Sequence, residues 1–365
     1  MINAFAGWIA AALRDESFML IDVGCSRGID PAWRAFGNRL RAFGFDASLA
    51  EVRRLTEAET AQGIEYVAGF VGISPDHPFA RQKGNRAHWG RLPNDRLSFS
   101  RTGELQREAV AAASDSDKLL HNAWRTMELA DRDHPVVLPA FLAARGVSSV
   151  EAIKIDVDGP DFDILNSLDT ALADLGVLAL DLEVNFNGTD CETDHTLHNT
   201  DRFLKARGFE LLGMKVRTYS TSALPQRYVW PFPAETVAGR ALQGDAFYAR
   251  DLASAEWHDL ARQLGAAKLA KLAAIFAIRG LPDCAAELLV AHRPLVGTLF
   301  DVDRALDLLA RQVQGSAWRP LGYRDYIAAF EANHRHFYTP IKPTLAARLA
   351  AAWRSFRHPS SHREC

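Results

Sequence analysis

The chain has little of several features that mark specialised protein classes. Its 365 residues carry a net charge of −3, so no basic surplus attracts nucleic acid or an anionic membrane. The four cysteines are scattered and form no C-x-x-C pair, which makes a reducing cytoplasm the expected location. No segment repeats at a fixed period. The 48% hydrophobic content is ordinary for a globular protein.

Long hydrophobic runs are also missing. The apolar stretch at residues 1–14 lacks a basic start, is followed by Asp15 and Glu16, and is too short to span a bilayer. We therefore expect no transmembrane segment, and we interpret this stretch as an amphipathic helix beside a sheet.

What is present is an apolar run that ends in an acid and a glycine turn. Phe18–Val23 is predicted to be a buried strand that leads into Gly24 and Gly28, and a helical pattern opens at Pro31. Such a turn places backbone N–H groups and a helix N-terminus where a ligand can sit. An ordinary strand-to-helix loop is the plainer interpretation of this turn.

A second strand, Leu40–Asp46, also ends in an acid. Asp46 lies about 24 positions after Asp22, close to the offset of roughly 20 residues at which a carboxylate meets a ribose hydroxyl. The turn has Ser26 at its middle position and no third glycine, so it lacks the pattern that admits a pyrophosphate. The sequence therefore favours S-adenosylmethionine over NAD as the adenosine-type cofactor.

Strand and helix patterns alternate along most of the chain, which predicts a Rossmann-like, doubly wound, mostly parallel sheet. A capping box is expected at Ser48 and Glu51. A long insertion at about 74–134 interrupts the alternation and is typical of a lid. We expect one domain at 1–252 and a helical region at 253–365 that serves packing or self-association. The further predicted strands are Ile64–Val71, Val150–Asp158, Val177–Val184, Phe209–Val216 and Gln243–Arg250.

The fourth strand ends in two acids at alternate positions, Asp156 and Asp158, so both project to one face. In an open α/β sheet the crevice lies where the strand order reverses, outside strands one and four. Asp22, Asp156 and Asp158 are therefore expected to converge on one cleft. Asp158 alternatively caps the next helix. Glu183 is either a third candidate acid or a structural partner of Lys154.

The segments IDVGCSRG, LRAFGFDA, IKIDVDGPDFDIL and LEVNF resemble the FkbM-type methyltransferase family. The resemblance covers about Phe18 to Leu252, and Asp158 stands where that family commonly has Glu. It implies an S-adenosylmethionine-dependent O-methyltransferase with a carbohydrate hydroxyl as the expected acceptor.

The resemblance also implies roles for individual residues. Asp46 would bind the ribose, and Asp156, Asp158 and Glu183 are the candidate catalytic acids. In the insertion, Arg86, His88 and Trp89 suit a sugar ring and an anionic group, although a solvated loop is equally plausible. The cofactor's methionine portion would meet Asp22, Gly24, Cys25, Ser26 and Gly28.

Other functions stay open at this stage. The residues Cys191 to His198 include metal-capable side chains, but their spacing matches no zinc template, so no metal is expected. An NAD-dependent sugar-modifying oxidoreductase would need a pyrophosphate turn and a Tyr-x-x-x-Lys pair, and neither is found. A catalytically silent scaffold on a methyltransferase fold is the alternative from another class.

Overall fold

The computed structural model describes residues 3–14, 16–83, 128–157, 159–186, 191–219, 239–315 and 319–337. The strands are β1 (Phe18–Val23), β2 (Leu40–Asp46), β3 (Ile64–Ala68), β4 (Val71–Gly72), β5 (Val136–Val137), β6 (Ala152–Ile155), β7 (Ala179–Asn185), β8 (Glu210–Tyr219) and β9 (Arg240–Ala249). The helices are α1 (Ala4–Ala12), α2 (Leu49–Ala58), α3 (Pro78–Lys83), α4 (Leu138–Ala144), α5 (Asp161–Leu168), α6 (Ala171–Asp174), α7 (Leu197–Lys205), α8 (His258–Ile278), α9 (Pro282–Ala291), α10 (Arg293–Val296), α11 (Val302–Gln314) and α12 (Tyr323–Ala332).

Seven strands form one sheet in the order β3-β2-β1-β6-β7-β9-β8. The first five in that order pair in parallel, whereas β9 is antiparallel to both β7 and β8. The chain runs outward from β1 to β3 and then returns to the other side of β1 with β6. The order therefore reverses between β1 and β6, where open α/β sheets bind their ligands. This arrangement confirms the predicted Rossmann-like fold of class I methyltransferase type.

One face of the sheet is apolar and carries the main core. Ile21, Ile153 and Leu180 lie side by side on this face, since they are register partners in β1, β6 and β7. Helices α4 and α5 pack on the same cluster through Leu142 and Phe162. Burial of such side chains contributes roughly 1.5–3 kcal/mol each, so this layer holds the strands in register.

The opposite face combines aromatic packing with charges. Phe18 stacks on Trp33 and Phe36 of a 3₁₀ helix at Pro31–Arg39, with ring centroids 5.4 and 4.0 Å away. On the same face, nearer the carboxyl ends of the strands, Asp22, Lys154 and Asp181 are register partners in β1, β6 and β7. Charged side chains on a central sheet need partners or a ligand, so this face is where a site is expected.

Helix α8 is joined to the sheet by a buried ion cluster at the amino end of β6. Glu151 is 1% exposed, and its Oε1 lies 2.9 Å from the Nζ of Lys268 and 3.1 Å from the Nζ of Lys271. Its Oε2 accepts a hydrogen bond of 2.6 Å from the Met19 amide. Because Lys271 is also buried, this helix is integral to the sheet's support.

Several predicted elements differ in detail. The run Ile64–Val71 is not one strand: it breaks after Ala68, and Val71 pairs with Val136 in a separate two-stranded sheet. The capping box at Ser48 is only half formed. The Ser48 hydroxyl accepts from the Glu51 amide at 3.3 Å, but the Ser48 N–H is bonded to Asp46 rather than to the Glu51 side chain.

The chain divides into two compact units, Met1–Ala305 and Leu306–Cys365. Within the second unit, Asp307 Oδ1 accepts a 2.7 Å bond from the amide of Tyr323, the first residue of α12. The helical character of the C-terminal region is confirmed, while the domain boundary at 252/253 stays a prediction. Among the described residues no helix is both long and apolar enough to cross a membrane.

Candidate functional site

The glycine turn lies at the carboxyl end of β1, beside the point where the strand order reverses. Gly24 has a φ of +85°, and a Cβ there would come within 1.8 Å of the carbonyl oxygen of Asp156. The turn therefore excludes any other residue at position 24 through both conformation and space. The glycine turn after β1 and the loop after β6 therefore pack directly against each other at Gly24 and Asp156.

The backbone amides at the start of the turn are already bonded within the protein. The amides of Gly24 and Cys25 both donate to the carbonyl of Phe45, at 2.9 and 3.0 Å. The amide of Gly28 donates to the carbonyl of Cys25 at 2.8 Å. The expectation that this turn presents bare N–H groups is therefore wrong for these three residues, because β2 and the turn itself supply the acceptors.

Of the other amides in and next to the turn that the structure describes, one has a free N–H group that could bind a ligand. The Arg27 N–H bonds Glu51 Oε1 at 2.9 Å, and the Ile29 N–H bonds the Tyr66 hydroxyl at 3.3 Å. Ser26 is exposed, and its N–H makes no hydrogen bond within the described part of the chain. A phosphate-binding nest needs several convergent amides, so this turn is poorly suited to a pyrophosphate.

Cys25 shapes the turn from the inside. Its side chain is 1% exposed and burial raises the pKa of its thiol far above the ordinary value. A Cβ on Gly44 of β2 would lie 2.9 Å from the Cys25 sulfur and 2.8 Å from the Tyr66 ring. The bare Gly44 thus makes the room in which Cys25 packs, and the thiol is a core group.

Asp46 ends β2 beside this turn and is half-buried. Its Oδ1 accepts a 2.8 Å bond from the Ser48 amide, which orients the carboxyl group. Burial raises its pKa, and the Ser48 N–H opposes that change. A carboxylate oriented by one backbone bond and open on its other side is suited to accept hydroxyl donors.

Asp22 and Asp156 meet across one ammonium group. The Nζ of Lys154 lies 3.3 Å from Asp22 Oδ1 and 3.4 Å from Asp156 Oδ2, and it donates to the Gly24 carbonyl at 3.0 Å. Asp22 is 4% exposed, whereas the Asp156 side chain is 39% exposed. The predicted convergence of these two acids is confirmed as geometry. The Lys154 bridge is the feature that sequence reasoning missed.

The electrostatics of this trio follow from burial and mutual attraction. Burial raises the pKa of Asp22, and the Lys154 ammonium acts against it. Burial also works against the charge of Lys154, but the two carboxylates raise the Lys154 pKa above its ordinary value. Lys154 therefore holds its proton more strongly than a free lysine does.

The loop after β6 is held by the next helix. Asp161 is 2% exposed, and its two oxygens accept bonds of 3.0 and 2.9 Å from the amides of Val157 and Gly159. Asp161 therefore holds this loop in place. Asp158 itself lies outside the described residues.

Glu183 lies on β7 with 6% exposure. Its Oε2 is 3.4 Å from Arg217 of β8, and Arg217 also forms an ion pair with Asp245. Lys154 has Asp22 and Asp156 as its partners, so the pairing of Glu183 with Lys154 that we considered is not formed. Glu183 is therefore a buried acid that is paired with Arg217.

Two further polar groups border this edge and were not among the predicted residues. His195 is anchored by a 2.9 Å contact between its Nε2 and the Glu183 carbonyl, with Asn185 3.3 Å from its Nδ1. Asp163 holds Lys83 of α3 at 2.6 Å. No local pattern marks either contact, because Lys83 and Asp163 are 80 positions apart.

Three predicted acceptor residues, Arg86, His88 and Trp89, lie outside the described residues. An open cavity of about 570 Å³ borders the carboxyl end of β7, where Asn185 and Phe186 form part of its wall together with His198. Within the described ranges no group of three potential metal ligands occurs.

No protein-family model matches this chain, and no curated protein is significantly similar to it. Weak likenesses to solved structures exist. A TehB-like SAM-dependent methyltransferase from Corynebacterium glutamicum is 8% identical over 67% of this chain and 87% of its own, with a TM-score of 0.27. Magnesium protoporphyrin IX methyltransferase from Synechocystis PCC 6803, solved with bound SAM, is 10% identical over 67% and 76%, with a TM-score of 0.28.

Precorrin-6y C5,15-methyltransferase from Geobacter metallireducens is 11% identical over 67% of this chain and 86% of its own, with a TM-score of 0.30. Scores this low assign neither fold nor activity. The fold assignment therefore rests on the strand order and register of this chain.

Proposed function

We propose that this protein is an S-adenosylmethionine-dependent O-methyltransferase that acts on a carbohydrate hydroxyl. The observation that carries the proposal is the turn at Gly24–Gly28, placed at the strand-order reversal with most of its amides bonded internally. It is a nucleoside-type site without a phosphate nest. The FkbM-type motifs support the same family, and this finer assignment is part of the proposal.

The small number of unbonded backbone N–H groups in the turn weighs against NAD as the cofactor. A dinucleotide turn presents several N–H groups and a helix N-terminus to the pyrophosphate. Here the described turn offers the Ser26 amide, and the segment after it is a 3₁₀ helix capped by its own Asp30, whose Oδ1 accepts from the Ala32 amide at 2.8 Å. S-adenosylmethionine carries no phosphate and so needs no nest.

The acids fit the rest of such a cofactor. Asp46, oriented by the Ser48 amide, would accept the ribose hydroxyls. Asp22 and Asp156 contribute negative charge at the sheet's switch point, where a cation is favoured. These acceptors and negative charges therefore suit adenosine joined to a cationic amino-acid tail.

When bound, S-adenosylmethionine supplies an electrophilic methyl group on sulfur, and its transfer to oxygen leaves S-adenosylhomocysteine. The protein's share is to orient the acceptor hydroxyl, exclude water and accept the hydroxyl proton. Asp156 is the proposed base, because its carboxylate is the more exposed of the two that share Lys154. Glu183 and Asp158 are the next candidates, Glu183 being restrained by Arg217.

The acceptor class is supported by the family resemblance and by the lining of the cavity at the end of β7. Phe186 and His198 form part of its wall together with Asp201 and Lys205. An aromatic face beside polar side chains is a common way to hold a sugar ring. Arg86, His88 and Trp89 remain proposed acceptor contacts.

Calorimetry with S-adenosylmethionine, S-adenosylhomocysteine and NAD tests the cofactor assignment. We expect both adenosyl ligands to bind and NAD not to bind. Tight NAD binding without any response to S-adenosylhomocysteine would favour the oxidoreductase. A transfer assay with a labelled methyl group and a pool of sugar acceptors then separates the enzyme from the scaffold, which would bind cofactor without turnover.

A further inference from the structure

Lys154 occupies the centre of the proposed cofactor cleft, yet the methyl-transfer role described above gives it no task. Its Nζ contacts Asp22 at 3.3 Å, Asp156 at 3.4 Å and the Gly24 carbonyl at 3.0 Å. One ammonium therefore serves two carboxylates and the backbone of the glycine turn. Its side chain is 34% exposed, so it is partly accessible to a ligand.

The charge at this position bears on the two forms of the cofactor differently. S-adenosylmethionine has a sulfonium and carries one more positive charge than S-adenosylhomocysteine, which has a neutral thioether. Asp22 and Asp156 attract the sulfonium and the Lys154 ammonium repels it, whereas the thioether responds weakly to all three. In a half-buried cleft such interactions are screened much less than at a surface.

We infer that Lys154 sets the selectivity of the cleft between S-adenosylmethionine and S-adenosylhomocysteine. It offsets part of the attraction that Asp22 and Asp156 exert on the sulfonium and thereby keeps the two ligands closer in affinity. Lys154 is a specificity-determining residue in this role and does not take the acceptor's proton. The inference rests on the proposed function and adds a role for a residue that function does not require.

A purely structural role for Lys154 makes a different prediction. If Lys154 matters only through its hydrogen bond to the Gly24 carbonyl, loss of the side chain loosens the turn. Binding of both ligands is then weakened by the same factor. The ratio of the two dissociation constants separates these roles, because only a charge effect changes it.

The experiment is calorimetric titration of both ligands into the full chain and its variants. Lys154→Arg keeps the charge, Lys154→Gln keeps a hydrogen-bond donor without the charge, and Lys154→Met removes both. We expect the Gln and Met variants to favour S-adenosylmethionine over S-adenosylhomocysteine by roughly tenfold more than the unaltered protein does. The Arg variant should keep the original ratio.

Arg262→Gln is the matched control for net charge. Arg262 is an exposed residue near the start of α8 that pairs with Asp259. It loses the same unit charge outside the cleft, so its ratio should stay unchanged. A similar rise in this control would trace the effect to net charge and overturn the inference.

Lys154→Gln leaves the buried carboxylate of Asp22 without its ammonium partner, and this variant could fail to fold for that reason. A second comparison keeps the test valid in that case. Asp22→Asn removes that burden, so Asp22→Asn is compared with the double variant Asp22→Asn/Lys154→Gln. The double variant should show the higher preference for S-adenosylmethionine. Equal ratios in this pair, or equal loss of both ligands in the single variants, contradict the inference. If the unaltered protein binds neither ligand, the proposed function itself fails.

Discussion

Two ion clusters stand at opposite ends of strand β6, and they differ in composition and exposure. At the amino end, one carboxylate, Glu151, serves two ammonium groups, Lys268 and Lys271. At the carboxyl end, one ammonium, Lys154, serves two carboxylates, Asp22 and Asp156. The first cluster is covered by helix α8, whereas the second opens at Asp156, whose side chain is 39% exposed.

The contrast separates a structural cluster from one available to a ligand. Glu151 is enclosed and fully bonded, so its ionic contacts stabilise the packing of α8 on the sheet. Asp156 retains solvent access on one side and an excess of negative charge beside it. Surplus carboxylate at a strand-order reversal favours a cationic ligand. Changes at the two ends should therefore affect different properties of the protein.

The largest expected effect is on turnover at the open end. Asp156→Asn is nearly isosteric and should lower kcat on a verified acceptor by about two to four orders of magnitude, which is typical of general-base loss. Its free energy of unfolding should change little, because the side chain is partly exposed. Steady-state kinetics and urea unfolding measure the two quantities. Full turnover in this variant would place the base elsewhere, with Glu183 as the next candidate.

The closed end should respond in the opposite way. Among the described residues, Glu151→Gln leaves Lys268 without a carboxylate partner and Lys271 with only the more exposed Glu16, 3.2 Å away. It should lower the free energy of unfolding by about 3–5 kcal/mol. Glu65→Gln is the control, because Glu65 forms an exposed pair with Arg145, and its loss should cost at most about 1 kcal/mol. Equal effects of the two substitutions in urea unfolding would show that the buried cluster is not structural.

A binding change of intermediate size is expected at Asp46. Asp46→Ala should weaken S-adenosylmethionine binding by about 1–3 kcal/mol through loss of charged hydrogen bonds to the ribose. Calorimetry measures this, with thermal unfolding as the check that the fold survives. An unchanged dissociation constant would exclude Asp46 as the ribose acceptor.

A smaller effect concerns how the free energy of unfolding depends on pH through Asp181, the register partner of Lys154 in β7. Burial raises the pKa of Asp181 to about 6, with its ion pair to Arg279 acting against the rise. The folded protein then holds this proton at pH values where the unfolded chain, with a pKa of about 4, has released it. Asp181 therefore makes stability fall, on the order of 2 kcal/mol, as pH rises from about 4 to about 6.

Urea unfolding of the unaltered protein and of Asp181→Asn across that pH window tests this sign. The variant lacks the titrating carboxyl, so the fall should be smaller by about that amount. The ion pair with Arg279 forms only while Asp181 is ionised, and its effect is already contained in the raised pKa of Asp181. Parallel pH profiles would show that Asp181 does not titrate there.

Local patterns predict part of this architecture well. The bounds of β1 and β2 agree with the structure, because each is an apolar run closed by an acid and a turn. The run Ile64–Val71 misleads, because its last residue, Val71, pairs with Val136, which is far along the chain. Periodicity describes a segment alone and says nothing about a distant pairing partner.

The candidate site shows the same limit. The convergence of Asp22 and Asp156 follows from topology once strands one and four are recognised. The bridge through Lys154 does not, since alternation places Lys154 on the same face as Asp22, Asp181 and Glu183 without choosing between them. The occupied amides of Gly24 and Cys25 were equally hidden, because their acceptor is the Phe45 carbonyl of a neighbouring strand.

The enclosure of Glu151 also constrains how the chain folds as it is synthesised. Glu151 and Lys271 are 120 positions apart in sequence. At translation rates of about 5–20 residues per second, Glu151 leaves the ribosome roughly 6 to 24 s before this partner. The central strand of the sheet thus emerges long before the cation that buries its acid. We therefore expect the packing around Glu151 to be completed late, and a nascent chain stalled before α8 to leave this carboxylate without its lysine partners.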